Sequence, residues 1–227
     1  NEAMIMKEEK MPDYSILDRP ELIDHLFYPR RDFNQCPEYA YDLPVQVEDG
    51  IYITCRLYEG DRKWPWILYF HGNGEVVSDY DYIAALYFAR KLNLVVADYR
   101  GYGKSNGSPG FKNLIADAHV IFTDIKNELT EKYNQSNLWI MGRSLGSISA
   151  LELVYNYPQD IKGLIIESGF ASVTRLIKHL GIPAHGIDLD GLEKACWQMI
   201  TKIMTPALLI HGQRDNLVPI NEGRSEE

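Results

Sequence analysis

The chain is poor in cysteine. Cys36, Cys55 and Cys196 are its three, scattered and without a C-x-x-C pair, so a disulfide framework or a zinc cluster is not expected and reduced structural thiols are. The odd count points to a reducing, cytoplasmic setting. No stretch approaches the roughly 18 consecutive apolar residues of a membrane span. The first stretch, Asn1 to Ser15, carries Glu2, Glu8 and Glu9 and no apolar segment of the kind a secretory leader needs. Positive charge is also in deficit: 23 Lys and Arg face 32 Asp and Glu, a net charge of -9, which works against binding nucleic acid or an anionic membrane. Repeats and low-complexity segments are missing as well.

What is present is an ordinary globular balance, 45% hydrophobic and 24% charged over 227 residues. That suits one domain, monomeric by default. Residues 1–42 read as an irregular arm, broken by Pro12, Pro20, Pro29 and Pro37. Leu26, Phe27, Tyr28 and Phe33 predict that the arm packs on the domain. From Leu43 the pattern changes. Val45 to Val47 and Ile51 to Leu57 predict two strands around an Asp49-Gly50 turn. Five short apolar runs follow: Trp66 to Phe70, Leu94 to Ala97, Leu138 to Met141, Leu164 to Ile166 and Ala207 to Ile210. Each suits a strand buried on both faces of a parallel sheet.

Helical patterns separate these runs. Ser78 with Asp81 resembles a capping box before Ile83, Leu86 and Tyr87. Leu114, Ala118, Ile121, Phe122, Ile125 and Leu129 keep a 3.6-residue period, and a third helix is expected from about Ser144 through Ile148, Leu151 and Val154. The alternation predicts an α/β fold, a mostly parallel sheet with helices on both faces, preceded by an antiparallel hairpin. Between Ile166 and Ala207 the connection is longer than a crossover requires. Its two apolar stripes, one through Ile177 and one through Met199, are split by a Gly/Pro link, so residues 171–205 are expected to form a small helical lid.

Four blocks could carry chemistry. Gly142-Arg143-Ser144-Leu145-Gly146 lies between a buried strand and a helix, the setting of a nucleophile elbow. Its glycines make room in a tight turn, and the helix start behind Ser144 favours developing negative charge. The bland reading is a Gly-rich turn with an inert serine. His71-Gly72-Asn73-Gly74-Glu75 follows the strand 66–70. Acyl transfer needs two donors aimed at an oxyanion, and the Asn73 and Leu145 N–H groups are the candidates; His71 itself is read as shaping the loop. In Asp98-Tyr99-Arg100-Gly101-Tyr102-Gly103-Lys104-Ser105 the spacing of a phosphate-binding loop is absent, and Asp98 and Arg100 are expected as orienting charges at the sheet edge. In the fourth block, His211 to Pro219, Asp215 sits where a carboxylate can orient an imidazole, with Glu167 as the competing acid. His185 with Asp188 and Asp190 is read as a polar loop, with metal binding the minor alternative.

These blocks, in this order from about Leu43 onward, resemble the α/β-hydrolase fold. The wording is similar to a branch related to serine aminopeptidases, prolyl-oligopeptidase-like enzymes and depalmitoylating thioesterases. The resemblance implies a serine hydrolase with Ser144 as nucleophile, Asp215 as acid, Asn73 and Leu145 as oxyanion donors, no metal and no organic cofactor. A small-molecule or acyl substrate follows, an ester or thioester sooner than a peptide; the rival class is a hydrolase-fold binding protein without turnover. The family's catalytic histidine comes after the acid, beyond one more strand. None of His25, His71, His119, His179, His185 and His211 occupies that position, so the base is expected outside these 227 residues, with a lid histidine, His179 or His185, as the second candidate.

Overall fold

The computed structural model describes residues 11–216 and 218. Within these residues seven strands form one sheet: β1 (Ala40–Glu48), β2 (Ile51–Tyr58), β3 (Trp66–Phe70), β4 (Asn93–Ala97), β5 (Leu138–Arg143), β6 (Ile161–Glu167) and β7 (Ala207–Ile210), in the order β1-β2-β4-β3-β5-β6-β7. The β1–β2 hairpin turns at Gly50, whose φ of +71° suits glycine. β2 also meets β4 antiparallel, and every pair from β4 to β7 is parallel. β1 runs well beyond the expected Val45 to Val47, because its pairing with β2 extends from Ala40 to Glu48.

All five residues of β3 and of β4 are buried. On β3, Trp66, Leu68 and Phe70 join the larger core cluster and Ile67 and Tyr69 the smaller one, so the period-2 alternation divides a continuous apolar run between two covered faces. Among the described residues, α1 (Pro20–Leu26) precedes the sheet, and α2 (Ala84–Phe88), α3 (Phe111–Tyr133), α4 (Gly146–Asn156), α5 (Val173–His179) and α6 (Leu189–Ile200) lie in its connections. α3 buries the stripe read from the sequence, Leu114 through Leu129, and stops at Asn134, whose left-handed backbone (φ 50°) caps its carbonyl end.

The segment before α2 departs from expectation. It is a short 3-10 turn, Val77–Tyr80, and its cap is Asp79, which accepts the Val76 N–H at 3.0 Å. Asp81 is drawn instead to the buried Arg56 guanidinium, at 2.9 Å, and Ser78 bonds Asp32.

Within the arm, α1 begins on Pro20, where the missing N–H costs nothing. Tyr14, Leu17, Leu22, Leu26 and Phe27 are buried, whereas Tyr28 (60%) and Phe33 (70%) are exposed, contrary to the sequence reading. Asp18 accepts the first two N–H groups of α3, from Phe111 at 2.6 Å and Lys112 at 3.0 Å. That helix is therefore capped by a residue 93 positions away.

Candidate active site

β5 ends at Arg143 and α4 starts at Gly146; Ser144 sits between them at φ +48°. A non-glycine residue holds that left-handed conformation only when its surroundings enforce it. The Ser144 N–H donates to the Glu167 carbonyl (3.0 Å), and its own carbonyl accepts the Ser147 N–H (3.0 Å) and hydroxyl (2.6 Å). Both glycines of the motif are steric necessities. A Cβ on Gly142 would lie 2.5 Å from the Gly146 oxygen, and one on Gly146 would lie 2.0 Å from the Phe70 oxygen.

The loop after β3 faces this turn. Glu75 ties the two together: its carboxylate accepts the Gly72 N–H (2.7 Å), the Tyr80 hydroxyl (2.7 Å) and Arg143. Burial opposes the charge on Arg143, but Glu75 and Glu167 more than offset it and hold its pKa above the ordinary value. Among the described residues, neither the Asn73 nor the Leu145 N–H meets an acceptor. His71 is fully buried with both ring nitrogens taken, Nδ1 by the Gly72 carbonyl (2.8 Å) and Nε2 by Asp98 (3.2 Å). Tyr99 donates to its carbonyl at 2.6 Å. Burial above all raises the Tyr99 and Tyr102 phenols, so both remain neutral donors.

Of the two expected orienting charges, Asp98 holds His71 and the Val77 N–H (3.0 Å). Arg100 serves elsewhere. It forms a bidentate pair with Asp117 of α3 (2.8 Å each) and reaches Glu48 of β1 (2.7 Å), because a guanidinium this buried requires carboxylates on its fork.

Asp215 lies just past β7. With β6 between β5 and β7 and all three parallel, Ser144 and Asp215 leave the same carboxyl edge of the sheet. The Asp215 carboxylate accepts the Val218 N–H at 2.9 Å and stands 3.9 Å from His211, whose Nε2 meets the Val218 carbonyl at 2.7 Å. Glu167, the competing acid, is engaged by Arg143 (3.8 Å) and the Tyr69 hydroxyl (3.4 Å). His119 pairs with Glu152 and Tyr157, and His179 meets the Asn216 carbonyl at 3.3 Å. Asp188 caps α6 at Gly191 (2.9 Å) and Asp190 binds Lys178 (2.8 Å), which accounts for the acidic pair near His185.

A cavity of about 150 Å³ opens on Ser144 and Leu145. Val173, Leu176 and Leu180 line it from α5 and the residue after it, and Phe170 and Phe111 close further sides. Ile177 and Met199, at the centre of the two lid stripes, are buried in the core and do not line it. His25, Leu26 and Tyr28 of the arm supply another wall, together with Asn73. Sequence reasoning gave the arm no part in the site, and no periodic signal marks one.

Sheet order, crossovers and serine turn together define the class: an α/β-hydrolase. A family model described as "Serine aminopeptidase, S33" matches residues 64–184, and the chain belongs to that family of hydrolases. It is 26% identical over 204 residues to the protein YfhR of Escherichia coli K12, covering 87% of this chain and 71% of that one. To the protein bem46 of Schizosaccharomyces pombe it is 28% identical over 166 residues, 71% of this chain and 54% of the relative. A Pyrococcus furiosus esterase shares the fold at a TM-score of 0.67 and 18% identity, over 87% of this chain and 82% of that one. One relative, from Saccharomyces cerevisiae, is named as a membrane protein; it is matched over 56% of this chain and 45% of its own length. Among the described residues no helix is long and apolar enough to cross a membrane.

Proposed function

We propose that the protein is a serine hydrolase that cleaves a carboxylic ester or thioester through an acyl-enzyme on Ser144. The observation that carries this reading is the strained serine itself. Its left-handed turn is enforced by two glycines that no other residue could replace without moving backbone, and it opens on an apolar cavity flanked by two N–H groups without acceptors. Strain held in place at a cavity mouth is characteristic of sites where geometry serves chemistry.

In this reading Ser144 Oγ attacks the carbonyl carbon. The oxyanion settles against the Asn73 and Leu145 N–H groups, and the alcohol or thiol leaves with the proton taken from Ser144. Water then releases the acid. Asp215 orients the histidine that moves these protons, and the reading assigns that histidine to sequence outside the described residues. An ester is favoured over an aminopeptidase substrate because, among the described residues, none lining the cavity is a carboxylate, the group an α-ammonium would seek.

A fluorophosphonate probe should label the full-length protein at Ser144, and Ser144→Ala should lose both labelling and hydrolysis of p-nitrophenyl esters. Labelling that persists in Ser144→Ala would refute the assignment. If His179→Ala falls as far as Ser144→Ala, the base is His179 and not a residue beyond the acid loop.

A further inference from the structure

Asn73 does two jobs with two different parts of itself. Its main-chain N–H is the oxyanion donor of the reading above. Its side-chain amide is committed to the arm: Oδ1 accepts the Tyr28 N–H (2.9 Å) and the Tyr102 hydroxyl (2.6 Å), and Nδ2 donates to the Leu26 carbonyl (2.9 Å). An amide that bonds one residue's carbonyl and the N–H two residues further on mimics a peptide group in a ladder. The Tyr28 N–H is shared with the Tyr102 hydroxyl at 3.0 Å, so the latch has a second, buried anchor.

The arm is held to the domain at two more points. Asp18 caps α3 beside Phe111, and Arg19 donates to the carbonyls of His185 (3.2 Å) and Gly186 (3.3 Å) in the α5–α6 link. The segment that these contacts fix contains His25, Leu26 and Tyr28, which face the same cavity as Ser144.

We infer that the arm segment 25–28 is the specificity wall of the site, and that the Asn73 side chain is a positioning residue setting this wall and the oxyanion N–H together. The inference rests on the serine hydrolase reading and names its substrate class: esters of a short or single-ring acyl group. A cavity near 150 Å³ takes a group about the size of benzene. A long chain would have to displace the arm. Because wall and oxyanion donor share one residue, an acyl group that pushes the arm away also misplaces the donor, so long chains lose turnover as well as binding.

The test uses the full-length protein and p-nitrophenyl esters from acetate to palmitate, with rates normalised to the fraction of Ser144 that a fluorophosphonate titrates. The wild type should prefer short esters. Tyr28→Ala, which opens the wall, should raise the octanoate-to-butyrate ratio of kcat/KM by about tenfold. Asn73→Ala should lower kcat per titrated serine by at least about tenfold on every ester, since a donor displaced by a fraction of an ångström serves the transition state poorly. Tyr102 does not itself line the cavity, and Tyr102→Phe removes one anchor of the latch; it should lower kcat in the same sense and less, and it carries the test if Asn73→Ala does not fold. A merely structural Asn73 would reduce the titratable fraction and leave kcat per titrated serine unchanged, which would overturn the positioning role. An unmoved chain-length ratio in Tyr28→Ala would overturn the wall. If no ester is cleaved and no serine labelled in the wild type, the hydrolase reading falls and this inference with it; labelling with unmoved ratios sinks the inference alone.

Discussion

At residue scale the serine turn is governed by what is missing from its neighbours. A methyl group at Gly146 would meet the Phe70 carbonyl oxygen at 2.0 Å, and that oxygen belongs to the last residue of a central strand. Backbone on both sides leaves no flexible side chain to swing away. Gly146→Ala is therefore expected to destabilise the fold by about 1–3 kcal/mol, in the range of overpacked cores. The strand end must shift to relieve the clash, and Asn73, three residues beyond it, should shift too, so ester hydrolysis should fall along with stability. Urea melts and p-nitrophenyl acetate turnover on the same preparation check this. An active Gly146→Ala of wild-type stability would mean that the turn is looser than its geometry.

At the scale of elements, neighbouring residues of α5 have different surroundings. α5 presents Val173 and Leu176 to the cavity and turns Ile177 into the core, where it is fully buried. One position along a helix rotates a side chain by about 100°, so the adjacent residues 176 and 177 answer to different partners. Leu176→Ala should enlarge the cavity and move the preferred acyl chain upward. Ile177→Ala should cost about 2–5 kcal/mol and leave the chain-length profile alone. Equal profiles for the two variants would mean that α5 takes no part in selection. Much of this architecture was legible beforehand. β3 to β6 announce themselves as continuous apolar runs, and α3 by its 3.6-residue stripe, because burial on both faces or on one stripe is written directly in residue type. The serine turn is legible because its constraints are steric and fall on glycine. The arm's contribution is not. The polar contacts that fix it beside the cavity include an aspartate capping a distant helix, an asparagine imitating a peptide, and an arginine on two carbonyls, none of which has a period or a spacing. Of the four residues that suggested docking, Leu26 and Phe27 are buried, whereas Tyr28 and Phe33 are exposed.

On the scale of the whole molecule, one buried cation collects segments far apart in sequence. The Arg56 side chain on β2 has no exposure. Asp42 of β1 accepts from its Nε at 2.6 Å and Nη2 at 3.0 Å, and Asp81, after the 3-10 turn, accepts from Nη1 at 2.9 Å. Lys104, in the loop after β4, adds a bond to Asp42 at 2.8 Å, and the Tyr58 hydroxyl adds one to Asp81 at 2.8 Å. Four segments of the sheet's antiparallel side thus meet at one guanidinium. Removing one carboxylate from a fully buried pair typically costs about 3–5 kcal/mol. Here Asp42 is one-fifth exposed and Arg56 keeps Asp81, so Asp42→Asn should lose less, about 2 kcal/mol at pH 7. The loss should depend on pH with a definite sign. Burial raises the Asp42 carboxyl, but Arg56 and then Lys104 outweigh it and hold it below the ordinary aspartate value. A depressed native pKa gives stability that is complete above the unfolded value, about 3.9, and that disappears as pH falls through the native one. Once protonated, Asp42 resembles the asparagine that replaces it. The gap between wild type and Asp42→Asn should accordingly be widest near neutrality and close as the pH is lowered towards 2, as read from urea midpoints across that range. A gap of constant size would mean that the carboxylate's charge contributes nothing and that only its shape holds the four segments together.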